Sequence, residues 1–179
     1  MNTNRIINAV AAGVLSTLIL PVSAFSDELP KRKPGLWEVS IVAEGYPPQI
    51  VKQCTDEATE QKMMKMGTDL AGQIGVECSK NTTEKNGSQY VAESDCMMGK
   101  TRMISKSVFS GDFQSQYSGD VTASYEPPLM GQAGGKTKIT AKRLGECEAG
   151  QVPGDVVMAN GMKMNVNSMG RAGAAVPAH

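Results

Sequence analysis

Most of the chemistry this sequence could perform is sulfur chemistry. Methionine occurs 12 times in 179 residues. Three clusters stand out: Met63-Met64-Lys65-Met66, Met97-Met98 and Met162-Lys163-Met164. Thioethers are soft donors that select Cu(I), so a copper site is one reading. It requires several sulfurs to converge. The other reading is packing, because methionine fills irregular cores and adaptable surfaces. Met63 and Met66 fall on one face at helical spacing, which fits packing.

The four cysteines, Cys54, Cys78, Cys96 and Cys147, are the second source. Zinc sites use closely spaced pairs such as CxxC, and none occurs here. An even number of cysteines in an exported chain reads as disulfides. Asn86-Gly87 lies midway between Cys78 and Cys96, and Asn-Gly is the strongest short signal for a two-residue type I′ turn. Folding there brings Cys96 opposite Cys78, to within about one residue of register. The expected pairs are therefore Cys78–Cys96 and Cys54–Cys147.

Other chemistry has little support. The single histidine is the last residue, His179, so histidine-based triads have no internal base. The glycine-rich stretch 131–135 lacks the lysine and helix of a phosphate loop. Glu93 and Asp95 share a strand face, where acids are usually solvated. No catalytic residue, metal ligand or cofactor is assigned, and the chain is expected not to be an enzyme. With 18 basic and 18 acidic residues, nothing favours nucleic acid as a partner. A monomer is expected, with a small ligand or an envelope protein as partner.

The elements that would carry these residues can be read in order. Arg5, the uncharged apolar run 6–20, Pro21 and Val22-Ser23-Ala24 have the pattern of a cleaved signal peptide. The run is too short for a good membrane span, so no stable span is expected after cleavage. Removing residues 1–24 takes away one basic residue and leaves a net charge of −1. Pro34-Gly35 turns into a strand in which Trp37, Val39, Ile41 and Ala43 share one face. Trp37 and Gly35 are the structural anchors, and a short strand at 49–54 follows. Thr55 is placed as the cap of a helix that Gly67 would end, with a looser stretch at 68–75. Strands are expected at 101–110 and at 113–125, where Gly119 suggests a bulge or bend. Pro127-Pro128 stops the second of these. Stretch 131–135 reads as a flexible loop, 136–144 as a strand, and Asn160-Gly161 as the turn of a small hairpin. The tail 170–179 is rich in Ala and Gly and is expected to be disordered.

Lys33-Pro34-Gly35-Leu36-Trp37-Glu38, Gln53-Cys54 and Gly145-Glu146-Cys147, with Pro153-Gly154-Asp155 to Asn165, resemble a bacterial family of small exported proteins known as domain of unknown function 3617. The resemblance covers roughly residues 30–168. It implies export in a Gram-negative bacterium and a β-rich domain, and it carries no catalytic residue.

The sequence thus predicts a mainly β fold: an antiparallel sheet or partly closed barrel of about six or seven strands with one short helix, stapled by disulfides. Residues 1–24 are expected to be a signal peptide, 25–168 a single exported domain and 169–179 a flexible tail. The location expected is the periplasm. The function expected is a non-enzymatic, ligand- or partner-binding envelope module; the alternative is a periplasmic copper handler using methionine sulfur.

Overall fold

The computed structural model describes residues 28–169. The expected signal peptide and most of the expected tail, 170–179, lie outside the described residues. Among the described residues nine strands form one antiparallel sheet. In chain order they are β1 (Gly35–Ala43), β2 (Gln49–Thr55), β3 (Val76–Asn86), β4 (Gln89–Met98), β5 (Thr101–Gly111), β6 (Gln116–Leu129), β7 (Gln132–Gly145), β8 (Asp155–Met158) and β9 (Lys163–Asn165). Helix α1 (Glu57–Gln73) connects β2 to β3, and α2 (Val166–Met169) follows β9. The spatial order is β3-β4-β5-β6-β7-β1-β2-β8-β9. The sheet is open, with β3 and β9 at its edges. The strand count is nine rather than six or seven, because the late segment supplies two short strands, β8 and β9.

Alternation decides which side chains face the helix. Trp37, Val39, Val51 and Ala141 form the buried cluster, with Ile41, Tyr117, Ile139 and Val156 packed against it. Cross-strand pairing puts Val39 beside both Val51 and Ala141, and Ala141 beside Tyr117. The core therefore sits where β2, β1, β7 and β6 adjoin. On β5, Met103 and Phe109 face one way and Ile104 and Val108 the other, as the period of two predicts. Trp37 is fully buried, and its Nε1 donates to the Lys33 carbonyl at 2.8 Å. Gly35 precedes it at φ 131°, and an added β-carbon would collide with the Gly145 carbonyl oxygen. Only glycine fits there.

Several elements depart from expectation for local reasons. The helix is capped by Asp56, not Thr55: Asp56 Oδ1 accepts from the Thr59 N–H at 2.8 Å. It runs through Gly67 to Gln73, so 68–73 is helix rather than loose chain. Glycine only weakens a helix interior; it does not break it. The β3–β4 turn is Gly87-Ser88, flanked by the Asn86–Gln89 pair. Gly87 takes φ 62° while Asn86 stays in the strand, which suits glycine in the first position of a II′ turn rather than Asn-Gly in a I′ turn. A register shift between Cys78 and Lys80 then sets Cys78 opposite Cys96. Without that bulge Cys78 would face the neighbouring residue and the opposite side of the sheet.

Residues 113–115 are a corner, not strand. Phe113 is left-handed at φ 55° and buried. Asp112 holds the corner, its Oδ1 accepting from the N–H groups of Gln114, Ser115 and Gln116. Strand β6 continues through Pro127-Pro128, with a cis bond at Glu126-Pro127. The stretch 131–135 belongs to a tight β6–β7 hairpin whose return strand begins at Gln132. No register shift occurs at Gly119, so the expected bulge is absent there. The hairpin about Asn160-Gly161 is present as β8 and β9.

Two disulfides tie the sheet. Cys54–Cys147 links β2 to the chain after β7, and Cys78–Cys96 links β3 to β4. Loop entropy gives the first about 4 to 5 kcal/mol and the second about 3. Among the described residues no helix is long and apolar enough to cross a membrane.

Candidate functional site

The chain has eight aromatic residues, and five of them meet in one place. Phe113 stacks on Tyr117 with ring centres 4.9 Å apart. Tyr90 meets Phe113 edge-on at 6.0 Å, and Trp37 lies 5.8 Å from Tyr117. Phe109 lies over Gly119, the cross-strand neighbour that lacks a side chain. Each ring comes from a different element: β4, β5, the 113 corner, β6 and β1. The corner matters most, because the left-handed turn swings Phe113 back under the sheet.

Above this floor lies a cleft of ≈ 560 Å³. Phe109, Phe113 and Tyr117 line it from the sheet, Met64, Gln61, Glu60 and Glu57 from α1, and 28–32 from the lead segment. Leu29 and Pro30 add apolar surface there. Its size falls within the usual range for small-molecule sites, about 300–1,000 Å³. A second concavity of ≈ 450 Å³ opens on the other face, among Glu38, Ser40, Ser118, Thr140 and Lys142. Its lining mixes polar and apolar groups, and Tyr117 is the one aromatic residue in it.

The lead segment is strapped across the cleft. The Lys33 N–H donates to the Phe113 carbonyl at 2.9 Å. Arg32 reaches three partners: an ion pair with Glu60, a hydrogen bond to Gln53 at 3.1 Å and the face of Trp37 at 5.7 Å. Thr55 donates to the same Glu60 at 2.7 Å. Lys31 pairs with Glu57 at 2.5 Å, and this partner holds its ammonium above the usual lysine value. Burial pushes the Tyr117 phenol up, with Glu60 adding to the shift and Arg32 opposing it. Two of the cleft's three carboxylates are therefore already matched by cations of the strap. What remains open is mostly apolar.

Of the residues singled out by sequence, Met64 lines the cleft and the others fall around it. Trp37 packs against Tyr117, one of the lining rings, and Gly35 lies two residues before Trp37 on β1. Cys54 lies just before α1, and Cys78 and Cys96 lie beyond its far end. Glu93 and Asp95 are on the opposite face. Lys80 and then Lys106 hold the Glu93 carboxyl below its usual value, and Arg102 does the same for Asp95. Those acids are solvated ion-pair members. The methionines are dispersed. Met63 and Met66 are half-buried on α1, and Met97 and Met98 are successive strand residues that point to opposite faces. Met162 and Met164 belong to the β8–β9 hairpin at the other end of the strand order. Among the described residues no group of three His, Cys, Asp or Glu could hold a metal. The strap and the Phe113 corner were not foreseen. The signal available was Asp112 followed, after Phe113, by the polar run Gln114-Ser115-Gln116, a side chain suited to collecting backbone N–H groups.

The family model described as "Protein of unknown function (DUF3617)" matches residues 32–147. No curated protein and no solved structure matches the chain.

Proposed function

The chain belongs to the DUF3617 family of proteins of unknown function, and from that premise we propose that it is a non-enzymatic envelope module holding a small apolar or amphipathic molecule in the cleft beneath α1. The observation that carries this reading is the convergence of Phe109, Phe113, Tyr117 and Met64 on one open cleft. The charges around it are largely paired within the protein, so an incoming molecule gains chiefly by burying apolar surface. Two disulfides are compatible with an oxidising compartment outside the cytoplasm. The dispersion of the methionines favours this reading over copper handling.

The test uses the neutral probe N-phenyl-1-naphthylamine and the purified protein. Saturable fluorescence enhancement is expected, displaceable by a long-chain alcohol. Met64 is 68% exposed, so Met64→Glu should fold normally and weaken the probe about tenfold by placing a charge on the cleft wall. Absence of saturable binding, or equal binding by Met64→Glu, would overturn the reading.

A further inference from the structure

Helix α1 is suspended between two disulfides of different accessibility. At its start Cys54 is 1% exposed and bonded to Cys147. Beyond its end Gly75 leads into β3, where Cys78 is bonded to Cys96. Cys96 is 7% exposed, but Cys78 is an exposed residue on the edge strand. β3 has one strand neighbour, β4.

The two halves of α1 are also held unequally. The first half has the Asp56 cap, the pairs Lys31–Glu57 and Arg32–Glu60, and a hydrogen bond from Lys62 Nζ to the Asn167 carbonyl at 2.9 Å. The second half contains Gly67 and Gly72, and Leu70 and Ile74 are 58% and 56% exposed. Its ion pair, Lys65–Asp69, is internal to the helix. The far end of α1 is thus held chiefly by the pairing of β3 with β4, which the Cys78–Cys96 bond clamps at its first residues.

We infer that Cys78–Cys96 is a site of thiol–disulfide exchange whose substrate class is a protein dithiol, and that its reduction frees the far half of α1. The partner's thiolate attacks the Sγ of Cys78, the more exposed cysteine of the pair. The Cys78–Cys96 bond breaks, and its electron pair leaves on Cys96 Sγ, which takes a proton from water. The partner's second thiolate attacks the mixed disulfide, and Cys78 departs and is protonated. Two electrons pass to the protein, and the partner ends as a disulfide. Cys54–Cys147 offers an attacking thiolate only the half-buried Cys147, with Cys54 behind it 1% exposed, so it reacts more slowly and outlasts Cys78–Cys96. This inference does not depend on the ligand reading.

The experiment treats the full chain, both disulfides formed, with graded dithiothreitol, then alkylates and maps peptides. Cys78 and Cys96 should be labelled at least about tenfold faster than Cys54 and Cys147. Hydrogen exchange on the singly reduced protein should quicken about tenfold or more over 66–74 and stay unchanged in β1 and β2. A reduced CxxC oxidoreductase should react at the same cysteines. Equal labelling of the two pairs, reduction only in step with global unfolding, unchanged α1 exchange or exclusion of the oxidoreductase would each overturn the inference. The double variant Cys78→Ala/Cys96→Ala gives an independent check. If it folds, its α1 should exchange like the reduced parent's, and parent-like exchange would overturn the inference. If it does not fold, the graded reduction of the parent decides.

Discussion

Phe109 rests on the bare α-carbon of Gly119: a β-carbon there would sit 2.5 Å from the ring's Cε1. Gly119 is buried in a stretch of β6 with no register shift, so the glycine provides space for the ring and not a bulge. Gly119→Ala should push Phe109 off the cleft floor. The expected cost is about 1–3 kcal/mol, the usual range for overpacking, read by urea denaturation. Probe binding should weaken in the folded fraction. A neutral substitution would mean that Phe109 has another place to go.

Arg32 should be the most sensitive residue of the strap. Its side chain is 9% exposed and that of Glu60 22%. Arg32→Ala would leave Glu60 with the Thr55 hydroxyl alone and uncover Trp37. The loss expected is about 2–3 kcal/mol, since truncating one member of a desolvated pair strands the other. Arg32→Lys should recover only part, because an ammonium cannot serve Glu60, Gln53 and the indole face together. Adding Glu60→Gln to Arg32→Ala should restore stability, and a double-mutant cycle by denaturation checks it.

Patterns of period two carried the sequence reading well where strands run between ordinary neighbours. Trp37, Val39 and Ile41 were placed on one face from alternation alone, and they meet Val51, Ala141 and Tyr117 there. The reading failed where a single side chain overrules local propensity. Asp112 gathers three N–H groups and turns what alternates like strand at 113–115 into a corner. The extra residue at the Ser79 bulge sets the cysteine register, and no propensity encodes it. The cleft was invisible because its lining comes from the lead, α1, β5, the corner and β6, which are far apart in sequence. Only the pairing of β5 with β6 and the return of α1 across the sheet bring them together.

The helix cap offers a pH signature. Hydrogen bonds from the Thr59 side chain and then its backbone N–H hold the Asp56 carboxyl below its usual value. A depressed folded-state value means that the ionised form stabilises the fold. That contribution is complete above the ordinary carboxylate range and fades as pH falls through the lower, folded value. Asp56→Ala should therefore cost about 1 kcal/mol at pH 7, as cap removal usually does. The difference from the parent should shrink progressively in acid. Asp56→Asn should keep most of the cap and lose the pH dependence. Thermal melts of the three proteins between pH 7 and strongly acidic buffer would show it.

The methionines decide between the ligand reading and copper. Met97 and Met98 are neighbours on β4, so they cannot turn both sulfurs to one side without breaking the strand's alternation. Met63 and Met66 share the half-buried face of α1, where thioethers pack well. Met162 is 52% exposed, in the β8–β9 connection. Exchanging Met63, Met66, Met162 and Met164 for leucine should cost below about 1.5 kcal/mol each, as volume-conserving swaps do. Cu(I) should leave the melting temperature of the parent unchanged, because a metal stabilises only in proportion to its affinity for the folded state. Titration of the oxidised protein with Cu(I) against a competing chelator is the measurement. One tight equivalent that disappears in the leucine variants would require the sulfurs to converge and would put copper handling ahead of the apolar ligand.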